Sequence, residues 1–223
     1  AATNSWDVVR TLSFWDFAPM LYTFTTTGDW DVASNWFQNI LPSATDNIIV
    51  STNQTLTLNG SRTINDVQIA SPGGIITVAT DVFTVNGDCD IDGTITVTTG
   101  TVDVDGEFDA TGGFVTFTGA GELIVDSTVT SLGTLTDDAG KVTYNGATSQ
   151  TIVAGAYSSL KASDAAGTKT LGGAVTVAGA LTIDVGVTVA MGANTLAVTG
   201  ASNIDGTLDV AGSTLTLTGA SAV

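Results

Sequence analysis

The stretch Asn86–Gly113, NGDCDIDGTITVTTGTVDVDGEFDATGG, alternates acids or threonines with apolar residues, and a glycine interrupts it every six or seven positions. Side chains on a strand point alternately to opposite faces. In DCDIDG, Cys89 and Ile91 therefore share one face, while Asp88, Asp90 and Asp92 share the other. The apolar pair goes inside. In TVDVDG, Val102 and Val104 go in, and Asp103 and Asp105 go out. Cys89 reads as a small buried filler, because the flanking acids would raise a thiol pKa.

The punctuation repeats beyond this stretch. Glycines fall at Gly87, Gly93, Gly100, Gly106, Gly113 and Gly119, and again at Gly172, Gly179, Gly186, Gly192, Gly200, Gly206, Gly212 and Gly219. A strand of about five residues plus a glycine corner is the unit of a β-solenoid, and about three units close one coil. A meander sandwich would place its turn signals farther apart. No stretch has the 3.6-residue apolar spacing of a helix. The expected fold is all-β: a right-handed β-solenoid with triangular coils of roughly 20 residues. Its expected core includes Val85, Cys89, Ile91, Ile95, Val97, Val102, Val104, Val175, Val177, Leu181, Ile183, Leu196, Val198, Leu208, Val210, Leu215 and Leu217.

Composition excludes several functions. The 223 residues carry 22 acids against five bases, a formal charge of −17. Nucleic acid and anionic membranes need clustered Lys/Arg, and no apolar run is long enough for a membrane-spanning helix. Histidine is absent, so serine triads lose their base and metal sites their commonest ligand. Phosphate-binding loops are missing as well. A glycosidase would need aromatics beside its paired acids, but Phe108 alternates inward between Glu107 and Asp109. No enzymatic activity is expected.

The acidic surface admits a metal reading. DCDIDG matches the opening of an EF-hand loop, but the twelfth position is Thr99 rather than Glu. Calcium is the candidate ion, with Asp88, Asp90, Asp92, Asp103 and Asp105 as candidate ligands; otherwise these acids form a solvated strand face. Threonine pairs suit an ice-binding face: Thr55/Thr57, Thr94/Thr96, Thr116/Thr118, Thr134/Thr136 and Thr214/Thr216. The middle three start at Thr94, Thr116 and Thr134, an uneven spacing that argues against an array.

Nine of the fifteen aromatics lie in the first 37 residues. This divides the chain into an N-terminal arm (1–25), an opening and capping segment (26–59) and a solenoid (60–223), with Trp30, Trp36 and Phe37 expected as an apolar lid over the first coil. The segment Thr26–Ile69 contains Gly28, Trp30, Asn35, Trp36, Pro42, Asp46, Ile48 and Val50. It resembles the opening segment of secreted bacterial β-solenoid surface proteins, with their G-x-W, N-W, proline and D-x-(I/V)-x-I pattern. KVTYNGATSQTIVAGAYSSLKASDAAGTKTLGG and the strands after it, within Lys141–Gly200, resemble the repeat of the same class. The resemblance implies an adhesin or structural exoprotein. The opening AATNS, without an initiator methionine, fits a mature extracellular chain after signal-peptide removal.

These readings converge on a secreted structural subunit that polymerises head to tail. The last strand is as regular as any before it, so its coil is expected to need a cover. The joint would be formed by Trp6, Val8, Leu12, Phe14, Trp15, Phe17, Leu21 and Phe24 of one copy. Against them would lie Leu208, Val210, Leu215 and Leu217 of the next. The alternative is a monomeric adhesin module that binds carbohydrate or a cell surface.

Overall fold

The computed structural model describes residues 19–164 and 166–222. Every ladder in it is parallel and joins one coil to the next. Each regular coil contributes one strand to each of three faces, which makes its section triangular. Face A runs through Leu21–Phe24, Asn47–Val50, Val67–Ile69, Cys89–Ile91, Phe108–Asp109 and Val129–Ser131. Face B runs through Gly28–Asp29, Thr55–Thr57, Ile75–Val78, Thr94–Val97, Phe114–Phe117 and Thr134–Asp137. Face C is one nine-stranded sheet from Arg62–Ile64 to Ser221–Ala222.

Parallel stacking places equivalent residues over one another. Ile95 sits between Ile76 of the coil before and Val115 of the coil after. The inward positions expected from the alternation are buried from Val85 through Val198. Cys89 lies between Val67 and Phe108 on face A, and burial first, then Asp90 and Asp88, push its thiol pKa up to about 12. Leu208, Leu215 and Leu217 also face the core but are only partly covered. Val210 departs from expectation and is 42% exposed. The strand ends at Asp209, and Val210 starts a turn whose carbonyl accepts from Ser213 N at 3.1 Å.

The glycine period has a steric cause. At most corners successive coils approach too closely for a side chain, whereas Gly186, Gly192 and Gly212 have φ of 80°, 61° and 76°, a left-handed backbone that favours glycine. A Cβ on Gly119 would stand 2.6 Å from the Thr98 carbonyl, and one on Gly179 would stand 2.7 Å from that of Ser158.

The first coil is closed by aromatics. Trp36 packs edge-on against Phe24 and Trp30 at centroid distances of 5.1 and 5.0 Å, and its Nε1 donates to the Trp30 carbonyl at 2.9 Å. Trp30 reaches Phe83 in the core, 6.2 Å away. The lid is therefore Tyr22, Phe24, Trp30 and Trp36; Phe37, expected in it, is 75% exposed. Trp36 is the last residue on extended backbone there, and Phe37 falls in the turn that follows, closed by Asn39 N donating to the Trp36 carbonyl at 2.9 Å. Leu21–Phe24 pairs with Asn47–Val50, so the division at residue 25 falls inside the first coil.

Faces A and B break once, where face C does not. Face A resumes at Gln150–Ile152 and face B at Gly155–Tyr157. Across the same boundary Val142 keeps its face C partner Leu160. Polar side chains replace the lost ladder there. Gln150 Nε2 donates to the carbonyls of Val125 and Ser127 at 2.9 and 2.7 Å. The buried hydroxyls of Tyr144 and Tyr157 are 3.1 Å apart.

Replacing Val104, fully buried on face C, with Asp leaves an unpaired charge in the core. The expected loss is about 3 kcal/mol or more, measured as a fall in the denaturation midpoint. A midpoint equal to that of the parent refutes the inward assignment.

Candidate functional site

The five candidate metal ligands divide between two surfaces. Asp88, Asp90 and Asp92 lie on face A and its corners. Asp88 and Asp66 satisfy backbone amides: Asp66 Oδ1 accepts from Asp88 N at 3.0 Å, and Asp88 Oδ1 from Glu107 N at 2.8 Å. Glu107 in turn accepts the Thr130 hydroxyl. Asp90 points outward between Gln68 and Asp109 and accepts from Gln68 Nε2 at 3.2 Å. Asp66, Asp88, Asp90 and Glu107 thus link successive coils, and among the described residues no three face A acids bring ligand atoms within 4.8 Å of one another.

Asp103 and Asp105 come together with a residue the sequence reading missed, Asp126. One ligand oxygen from each lies within 4.8 Å of the others. Asp103 projects from face C, Asp105 follows it at the corner, and Asp126 stands over Asp105 because Val104 and Val125 are partners in the ladder. Asn145, on the following coil, donates from Nδ2 to Asp126 Oδ1 at 3.0 Å. The missed signal was coil length: Asp126 follows Asp105 at the same separation as Val125 follows Val104. Burial, then Asp126, Asp105 and Glu122, raise the Asp103 carboxyl above its ordinary range. Burial also raises Asp126, with further contributions from Asp105 and Asp164, while Asn145 and Lys169 oppose the shift. A hard divalent cation fits such a group: Ca²⁺ takes carboxylate oxygens and fills its remaining positions with water. Mutual repulsion among the three carboxylates is what a bound cation would relieve.

The candidate joint residues are placed in part. Trp6, Val8, Leu12, Phe14, Trp15 and Phe17 lie outside the described residues. Leu21 is exposed, whereas Phe24 is buried in its own lid and has no surface left for a partner. Leu208, Leu215, Leu217 and Val210 lie at the last coil of faces A and B. The break opens a shallow cavity of about 310 Å³ lined by Leu132, Leu135, Val153 and Tyr157, without a clustered set of acids.

The threonine pairs do line up. Thr94 and Thr134 flank Phe114 in the ladder, and Thr96 and Thr136 flank Thr116. The Thr116/Thr118 pair is shifted by two positions along its strand, which produced the uneven spacing.

The chain matches no known protein family, no curated protein and no solved structure.

A carboxyl raised in the folded state keeps its proton to higher pH there than in the unfolded chain. Stability from Asp103 and Asp126 is therefore greatest at low pH and falls as pH rises through their raised range. Asp126→Asn is expected to raise the melting temperature at neutral pH and to flatten that fall. Calcium is expected to raise the parent's melting temperature more than sodium chloride of matched ionic strength does, and to lose this excess in Asp126→Asn. An equal effect of the two salts reduces the cluster to screened repulsion.

Proposed function

We propose that the protein is an extracellular structural subunit whose solenoids join head to tail. One observation carries the reading: both ends of the described stack present apolar surface. At the last coil, Leu208, Leu215 and Leu217 aim at the core but are only partly covered. Thr207–Asp209 and Thr214–Leu217 are edge strands there. At the first coil, Met20, Leu21, Phe37, Ile40 and Leu41 are exposed, Ile40 at 61%.

An edge strand with a half-covered apolar row is a template for one more rung. A second copy supplies that rung by strand addition, with backbone hydrogen bonds for affinity and aromatics for buried area. Trp6, Phe14, Trp15 and Phe17 give residues 1–18 the composition for such a contact. The joint is heterologous, so it propagates as a filament unless its rotation closes a ring. The resemblance to secreted bacterial surface proteins supports the extracellular placement.

Electron microscopy of the purified chain is expected to show filaments, and deletion of residues 1–18 to leave short rods. Filaments that persist after the deletion remove this joint. Isolated rods from the full chain at high concentration favour the monomeric adhesin module instead.

A further inference from the structure

Face B of the first stack carries outward rows in strict register. The central row is Thr57, Thr77, Thr96, Thr116 and Thr136. Beside it run Thr55, Ile75, Thr94, Phe114 and Thr134. On the other side, Thr98 and Thr118 follow, their hydroxyls 3.0 Å apart. Neighbouring strands are about 4.8 Å apart, and successive outward positions along a strand about 6.6 Å apart. The side chains therefore form a regular two-dimensional net of hydroxyl and methyl groups.

Three further features set this net apart. The ladder from Thr55–Thr57 to Thr134–Asp137 has no register shift, whereas face A shifts at Phe108/Asp109. Among the described residues, the five central hydroxyls make no hydrogen bond within the protein. Elsewhere some threonine hydroxyls are paired: Thr143 on face C and Thr111 at the corner after face A donate to Glu122 and Asp109 at 2.5 and 2.6 Å. Finally, neither of the two rows contains a charged side chain, in a chain of formal charge −17. Asp29, the ladder partner of Thr57, borders the central row at its first-coil end, and the exposed Asp138, in line with Thr118, borders it at the other. Face A displays Asp90 and Asp109, and face C displays Asp103, Glu122, Lys141 and Lys161.

We propose that face B is an ice-binding surface. The two repeats of the net lie close to oxygen repeats in hexagonal ice, so successive hydroxyls can each take a place in one layer of lattice water. A hydroxyl both donates and accepts, as lattice water does. The threonine methyls, Ile75 and the 47% exposed Phe114 hold the water between hydroxyls only weakly. A charge within the face would orient water around itself and break the layer, and the two rows have none. A second copy is a poorer occupant, since interface cores are more apolar and richer in aromatics than this net. A glycan is poorer as well, because Phe114 is the one aromatic in the rows.

The test is nanolitre osmometry of the full chain, reading thermal hysteresis and crystal habit. Thr96→Lys/Thr116→Lys alters face B, and Thr63→Lys alters the exposed side of face C. The parent and Thr63→Lys are expected to facet ice and hold a hysteresis gap, and the double lysine variant to lose both while keeping the parent's circular dichroism. If the lysines unfold it, Thr96→Val/Thr116→Val keeps the strand preference and is expected to narrow the gap. Round, unshaped crystals from the parent overturn the proposal. So does a hysteresis gap that the folded face B variants keep in full. A parent dimer that Thr96→Lys dissolves assigns the face to a second copy and overturns it too.

Discussion

Parallel in-register stacking is the constraint on which everything else in this molecule depends. Once Val104 sits over Val85 and under Val125, every neighbouring position on face C has its partner fixed as well. A one-residue slip would turn the apolar ladder outward and the carboxylates inward. The core and the surface are thus set by one register. The same rule that buries Ile76, Ile95 and Val115 lines up Thr77, Thr96 and Thr116, the next residue of each strand, on the outer side. Surface rows in a solenoid are built by the core's geometry, whether or not they have been selected for binding.

This explains what could be read from the sequence. Direction was legible residue by residue, because alternation is local: Cys89 and Ile91 inward, Asp88 and Asp90 outward. Juxtaposition was not, because it depends on the length of each coil, and that length varies. The coil that carries Gln68 round to Asp90 is longer than the one that carries Lys141 round to Ser159. Asp126 therefore joined Asp103 and Asp105 unannounced, and the threonine pairs looked irregular although their rows are regular. Phe37 was misplaced for another reason. Aromatic composition suggested a lid, but composition does not say which of two adjacent aromatics faces in.

Charge is distributed as unevenly as the rows. Among the described residues, Arg62, Lys141 and Lys161 all lie on face C, each within 3.0 Å of an acid: Asp31, Glu122 and Asp184. These pairs are worth little individually, and they leave Asp103 on the same face without a basic partner among them. Corner acids on face A have a different role, receiving amide hydrogens from the next coil. The face A acids repel one another too, since burial, and after it Asp92 and Asp109, raise Asp90, but among the described residues Asp103, Asp105 and Asp126 are the acids that bring three ligand oxygens within 4.8 Å of one another.

The break in faces A and B shows what the register demands where pairing lapses on two of the three faces. Losing strand pairing leaves carbonyls inside, and an unpaired buried carbonyl is costly. Gln150 covers those of Val125 and Ser127. Lys169, fully buried on an inward-facing position, gives its ammonium to Gly146 and reaches Thr148 at 3.5 Å. Burial lowers the Lys169 pKa, and Asp164 and Asp126 oppose that shift. Its ladder partners are Gln150 before it and Val189 after it, so the inward row turns from polar back to aliphatic within two coils. The two polar members are tolerable because the missing rung supplies acceptors that an aliphatic side chain would leave unpaired. Face C, uninterrupted across the same coil, keeps the two stacks in a single register while the other faces restart.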